Sequence, residues 1–323
     1  YRATDQWFIA VSKIREEILE EIKQLYTVPA EAKEIFLEWI GNFSDWCITL
    51  QRFWNIPAPI WVCDQCDNYE IFGRIKELEE RSGVKLDDIH RPKVDPLTWK
   101  CSCGGTMSRI PDVLTGWLDS GAAPWASLAY PQRQDLFDQY FPSDFVMEGR
   151  DQIRAWFSAM MNFSMAAFGR RPYNAVYWHG FFNDQEGRKM SKSKGNFVAV
   201  QEIAEKMGGD PVRMKFIEWI APGQDVRFNM RDIEENAKAL NVLWNMHNLI
   251  VRSARAAGID PTKATFKDEN LDFTDRWLLS VYSSLVDTVT EKFESFHLSD
   301  IPTLLRHFWR EDLSRWYVQN KRP

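Results

Sequence analysis

Near residue 232 the hydrophobic pattern of the chain turns from mixed to purely helical. Upstream, over 110–200, apolar runs alternate with turns and short helical stretches, as they do in α/β chains. Within that region Ala175-Val176-Tyr177-Trp178 reads as a buried strand. From about Asp232 onward only the helical period remains, over 232–257, 274–296 and 301–319. The polar stretch from Gly258 to Leu271, with Pro261 in it, reads as a helix–helix connection. This order predicts an α/β body followed by an α-helical bundle.

The N-terminal part carries its own signals. Val11, Ile14, Ile18, Ile22 and Leu25 recur at helical spacing with charges between them, so 11–25 reads as an amphipathic helix. Pro29 opens a second helical stretch to about Ile40. Pro57 and Pro59 then force an extended or loop path through 44–62.

Composition narrows the class. At roughly 100–200 residues per domain, 323 residues suggest two or three domains. Hydrophobic residues at 45% and charged residues at 27% exclude collagen, coiled coil and disorder as descriptions of the whole. A net charge of −6 excludes a globally basic nucleic-acid coat, so RNA contact would use local patches. Trp156 to Phe168 is too short for a membrane span and is broken by Asn162 and Ser164; it reads as a buried helix. No N-terminal signal segment is visible, and cytoplasmic location is expected. The chain begins at Tyr1 rather than Met, which suggests a piece of something longer.

Five cysteines, an odd number, argue against a disulfide framework. Cys63-x-x-Cys66 and Cys101-x-Cys103 form two close pairs, suited to four-thiolate zinc on tight knuckle turns. Gly104 and Gly105 give the second turn backbone freedom. Few large apolar residues lie between the pairs, so metal is expected to stand in for a core there. With four protein ligands the zinc would be structural. Ile75 to Arg81 reads as a short helix inside this segment, and Cys47 as a core residue.

Arg188-Lys189-Met190-Ser191-Lys192-Ser193-Lys194-Gly195-Asn196 places four cations within seven residues. Such a loop can wrap a polyphosphate, where lysine acts as a point charge on phosphate oxygens. The order Lys-Met-Ser-Lys-Ser resembles the signature loop of class I aminoacyl-tRNA synthetases. Further segments follow in family order. Asp45-Trp46-Cys47-Ile48 with Gln51-Arg52-Phe53-Trp54 and Ile56-Pro57 is similar to the re-entry segment after the editing insertion. Cys103 to Met107 resembles the end of the zinc-bearing insert, and Trp117-Leu118-Asp119-Ser120-Gly121 the Trp-Phe-Asp-Ser-Gly segment. Glu148-Gly149-Arg150-Asp151-Gln152, with Arg154 and Trp156-Phe157, resembles the adenylate-binding segment, and His179-Gly180-Phe181 precedes the signature loop. The likeness runs over essentially the whole chain. It is greatest to isoleucyl enzymes of the archaeal and eukaryotic type, with valyl enzymes next.

The resemblance implies a Rossmann-like class I catalytic domain, of which this is the C-terminal half, and ATP-dependent aminoacylation of tRNA. The partition expected is re-entry segment 1–62, zinc-binding insert 63–109, catalytic second half 110–231 and helical anticodon-binding domain 232–323. Lys189 and Lys192 would stabilise the leaving pyrophosphate. Glu148, Gly149, Asp151, Gln152, His179, Gly180, Met190, Ser191 and Ser193 would bind ATP or the adenylate. Trp117 and Trp156 would wall the amino-acid pocket. Read alone, Asp151 and Gln152 could instead cap the following helix, and His179 could be a core histidine. ATP with Mg2+ is the implied substrate, structural Zn2+ the implied metal, and tRNA (tRNA-Ile), ATP and an amino acid the implied partners, with no membrane and a monomeric full-length protein.

The family's His-x-Gly-His element is absent: no two of His90, His179, His247, His297 and His307 stand three apart. Without that element this stretch alone is expected to be inactive, and the editing domain is absent too. Leu118, Ala155, Asn55 and Leu50 depart from usual family residues, while Lys194 and Asp112-Val113-Leu114 lean toward the valyl pattern. Valine–tRNA ligase, or a non-catalytic paralogue that binds tRNA or a protein, are the alternatives.

Overall fold

The computed structural model describes residues 4–263 and 270–321. Positions 264–269 of the predicted connection, and the chain ends at 1–3 and 322–323, lie outside the described residues. Strands Ser143–Gly149, Tyr173–His179 and Tyr26–Val28 form a three-stranded sheet in that order. The apolar run 175–178 lies within the second of these strands. The chain divides into two compact units.

The first unit comprises Tyr1–Tyr26, Glu31–Val146 and Asp151–Ala175. Its helices Arg15–Lys23 and Ala32–Gly41 bury Ile18, Ile22, Phe36 and Ile40 almost completely. The helical spacing of 11–25 thus marks a real apolar face, although Val11–Lys13 is a 3-10 turn. Helix Trp156–Phe168 is buried along most of its length, which explains its apolar composition. It packs on helix Gly116–Gly121 so closely that a Cβ on Gly121 would meet the Ala159 carbonyl oxygen at 3.0 Å.

The cysteine-bracketed region is a four-stranded antiparallel sheet, ordered Tyr69–Ile71, Ile60–Cys63, Thr106–Arg109, Thr98–Lys100. The short helix expected at 75–81 spans Ile75–Ser82. One expectation fails here: the region has a hydrophobic core of its own. Trp61, Leu78, Val94, Leu97, Cys101 and Met107 are buried together, with Phe72 and Trp99 packed on them. Trp61 supplies much of this core from a position just before the first cysteine, and its indole N–H donates to the Leu97 carbonyl at 2.8 Å. Cys47 is not core either; it is half-buried, with its thiol 2.8 Å from Gln6 Oε1.

The second unit comprises Thr27–Ala30, Met147–Arg150 and Val176–Pro323. Strands Phe182–Asn183 and Val226–Arg227 pair in parallel. Ile203, Val212, Phe228 and Ile233 form a core between helices Val200–Met207, Gly209–Trp219 and Met230–Ala256. The expected helical run follows as Met230–Ala256, Phe273–Glu294 and Ile301–His307, continued by a wider π-helical stretch Phe308–Val318. Asp272 caps the second of these with a reciprocal capping box to Asp275, which fixes where it starts. Ala239, Met246 and Trp309 make the bundle core, and the Trp309 indole donates to the Ala239 carbonyl at 3.0 Å.

Candidate functional site: a lysine loop and its surroundings

In the second unit, the chain from Phe182 to Lys189 is a tight hairpin. Asp184 N–H donates to Arg188 O at 2.8 Å, Gly187 N–H to Asp184 O at 3.0 Å, and Asn183 bridges to Lys189. Gly187 has φ +82°, the left-handed conformation such a turn requires. Met190 packs against the Ile203–Phe228 core, so one residue of the signature is an apolar anchor. Lys192–Lys194 form a single 3-10 turn closed by Gly195 at φ +69°. Lys189, Lys192 and Lys194 are all exposed, and among the described residues none is paired with a carboxylate. Lys189 Nζ lies 4.1 Å from the centre of the Phe181 ring, and Lys192 Nζ 5.6 Å from that of Phe197. Aromatic faces hold cations without neutralising them. The loop therefore presents concentrated positive charge free to meet an anion.

Four other predicted residues lie in this unit. Glu148 Oε2 accepts from the Gly149 N–H at 3.2 Å. Arg150 forms an ion pair with Asp225 at 3.2 Å and covers the Phe181 ring at 4.7 Å. His179 is half-buried, its Nδ1 2.7 Å from the Gly180 carbonyl and its ring edge-on to Phe182. Gly180 is required by a backbone crossing: a Cβ there would lie 2.3 Å from the carbonyl carbon of Gln224. The Gly180 N–H donates to that residue's oxygen at 3.1 Å.

The first unit holds the others. Gln152 Oε1 accepts from the Trp156 N–H at 3.2 Å, at the start of the buried helix. Asp151 Oδ2 accepts from Gln152 Nε2 at 3.3 Å. Trp156 donates its indole N–H to the Ser120 carbonyl at 2.9 Å, tying two helices together. Trp117 is 49% exposed and walls a cavity of about 230 Å3 with Phe43, Trp46, Arg154, Ala155, Ser158, Ala159 and Asn162. Trp156 is not among its lining residues. Asn162 is fully buried, and neither amide atom has a hydrogen-bond partner. The polar break it makes in an apolar run was its only signal in the sequence. Asp119, in the neighbouring helix, has its carboxyl pushed up by burial.

The four cysteines converge. All four sulfurs lie within 4.8 Å of one another, with Cys63 3.4 Å from Cys103 and Cys66 3.8 Å from Cys101. These are far beyond a disulfide bond. Tetrahedral zinc with Zn–S near 2.3 Å sets its sulfurs about 3.8 Å apart, so the spacing fits. Gln65 N–H donates to Cys63 Sγ and Gly105 N–H to Cys103 Sγ, each at 3.4 Å. A Cβ on Gly105 would meet Cys63 Sγ at 2.7 Å, so glycine is needed to close the knuckle. The Cys103 backbone N–H and the Asn68 amide bring the Cys101 thiol down to about 6. At Cys66 the Asn68 N–H acts the same way, but protons shared with Cys103 and Cys63 outweigh it and raise the thiol to about 12. Four clustered thiols cannot all ionise without a cation among them.

The family model for tRNA synthetases class I (I, L, M and V) matches residues 1–229. The chain belongs to the class I tRNA synthetase family. The model for the anticodon-binding domain of tRNA ligase matches 275–323 of this synthetase chain. It is 42% identical over its full length to isoleucine–tRNA ligase of Methanocorpusculum labreanum, and 41% identical to that of Archaeoglobus fulgidus. It spans 31% of the length of each of these relatives. Its fold is similar to Mycobacterium tuberculosis methionyl-tRNA synthetase bound by methionyl-adenylate: TM-score 0.67, 20% identity, over 98% of this chain and 53% of the other. It is also similar to an Agrobacterium radiobacter K84 LeuRS in a ternary complex with tRNA and LeuAMS, with TM-score 0.65 and 20% identity over 83% of this chain and 36% of that one. The class I fold expected from the sequence is thereby shown. No helix among the described residues is long and apolar enough to cross a membrane.

Proposed function

We propose that this chain is the signature-loop part of an isoleucine–tRNA ligase. The reaction joins isoleucine to ATP-Mg2+ and then transfers the acyl group to tRNA-Ile. The observation that carries the chemistry is the exposed, unneutralised lysine pair 189 and 192 on a loop anchored by Met190. The observation that carries the substrate is 42% identity to an isoleucine–tRNA ligase along the full chain.

The amino-acid carboxylate attacks the α-phosphorus, and the bond to pyrophosphate breaks. Negative charge grows on the leaving group as this happens. Lys189 and Lys192 act there, because a cation whose attraction strengthens as that charge grows lowers the barrier. Glu148, Gly149, Asp151, Gln152, His179 and Gly180 are assigned to the adenylate, Met190 to anchoring the loop, and Ser191 and Ser193 to phosphate contacts. Trp117 and Trp156 are assigned to the amino-acid pocket. One methylene in such a pocket is worth only about 1–3 kcal/mol, so it favours isoleucine over valine modestly.

Cys63, Cys66, Cys101 and Cys103 are assigned to a zinc ion. Four protein ligands leave no open position, so the metal would brace the fold.

The test is amino-acid-dependent ATP–pyrophosphate exchange by the full-length protein with isoleucine, valine and leucine. Isoleucine should give the highest kcat/KM. A preference for valine would move the assignment to the valyl branch, and no exchange with any of them would favour a non-catalytic paralogue.

A further inference from the structure

Both ends of the lysine loop are tied by one side chain outside the signature. Asn196 Oδ1 accepts from the Ser191 backbone N–H at 3.0 Å. That N–H can only donate, which fixes the amide orientation and turns Nδ2 toward two acceptors. Nδ2 donates to Asp184 Oδ2 at 2.9 Å and to the Lys189 carbonyl at 3.3 Å. Asp184 is buried in turn, and it accepts from Arg188 twice: the backbone N–H at 2.8 Å and Nε at 2.9 Å. The Asn196 amide is the largest influence holding the Asp184 carboxyl low, at about 2. The carboxylate is thus ionised at any working pH, and its hydrogen bond to Asn196 is charge-assisted. Lys189 and Ser191, flanking Met190, are both gripped by Asn196, while Lys192 and Lys194 project from the turn that Gly195 closes.

We propose that Asn196 is a positioning residue: backed by Asp184, it clamps the base of the 189–195 loop and so fixes where Lys189 and Lys192 stand. The role in catalysis rests on the synthetase reading above; the clamp itself does not. The loop has no other side-chain tie from outside its own residues among the described ones, apart from aromatic faces beneath the two lysines and the packing of Met190. Removing the Asn196 amide frees the Ser191 N–H and the Lys189 carbonyl together. The fold should survive, because the core under the loop is apolar and does not include Asn196.

The experiment uses full-length wild type, Asn196→Ala, Asp184→Ala and the double variant. Deuterium uptake over 189–195 and isoleucine-dependent ATP–pyrophosphate exchange are measured on each. With Asn196→Ala, uptake should quicken at least about tenfold, and kcat per titrated active site should fall by about tenfold or more, since small misplacements of catalytic groups are costly. KM for isoleucine should stay within about twofold and the melting temperature within about 2 °C, which a general loss of structure would not allow. The double variant should be little worse than the worse single one, because both cut one tie. Unchanged uptake in Asn196→Ala overturns the clamp. Faster uptake with kcat retained overturns the positioning role. A wild type without exchange sinks the synthetase reading, and with it the catalytic role, while uptake still decides the clamp.

Discussion

Arg306 grips Glu218 with both ends of its guanidinium: Nη1 lies 2.9 Å from Oε2 and Nη2 2.8 Å from Oε1. The same Nη1 donates to the fully buried Asn236 at 2.7 Å, and Lys215 adds a second cation 3.2 Å from Glu218. Helices Gly209–Trp219, Met230–Ala256 and Ile301–His307 are thereby joined through the Arg306 guanidinium. Burial alone would raise the Glu218 carboxyl, but Arg306 and Lys215 win and bring it down to about 2.

A pH dependence follows from that sign. A carboxyl lowered in the folded state binds fewer protons there, so its contribution to stability is full above the ordinary value of 4.5 and is lost as pH falls toward 2. Arg306→Ala leaves a largely buried carboxylate short of its partner and should cost about 2 kcal/mol at pH 7, less than for a fully buried pair. Urea midpoints at pH 7 and pH 3 check this: the gap between wild type and variant should narrow at the lower pH.

The cysteine cluster gives a metal prediction. The purified protein should carry one zinc ion, and Cys101→Ser should lose it and melt earlier. Cobalt substitution provides a separate readout, since four thiolates should give intense sulfur-to-metal charge-transfer absorption. Absence of metal together with melting indifferent to a chelator would remove the assignment.

Gly180 yields the sharpest packing test. Its missing Cβ would overlap the Gln224 backbone at 2.3 Å, and backbone cannot step aside as a side chain can. Gly180→Ala should cost about 3 kcal/mol, the upper range for overpacking. A variant with unchanged urea midpoint would show that the 221–225 turn yields freely.

The two loop lysines should separate binding from chemistry. Lys192→Ala should lower kcat for exchange by about a hundredfold, with KM for isoleucine nearly unchanged, because it acts on the leaving pyrophosphate, where charge grows in the transition state, and not on the amino acid. Lys189→Ala should act in the same direction. Equal losses in isoleucine binding, seen by equilibrium titration, would place the lysines in ground-state recognition instead.

Much of this was legible in the residues, for identifiable reasons. The helices Ile75–Ser82 and Met230–Ala256 follow from periodicity, and the clustering of four sulfurs from close cysteine spacing. The core beneath the cysteines was not legible, because its six residues are scattered from Trp61 to Met107. The aromatic cavity joins Phe43, Trp46 and Trp117 to Asn162, far apart in the chain, and no local pattern announces it. The close approach of the Gln224 backbone to Gly180 was likewise not legible, because it brings together residues 44 apart in the chain. Nothing in the sequence marks Asn196 as a tie, since Asp184 stands twelve residues away and only the fold brings it to 2.9 Å.

An isoleucine-activating role for the lysine loop has one decisive check. The most direct measurement is isoleucine-dependent ATP–pyrophosphate exchange by full-length wild type beside Lys192→Ala. Exchange should need isoleucine and drop about a hundredfold in the variant, with KM for isoleucine preserved. Exchange of equal rate in both proteins, or none from the wild type, would contradict it.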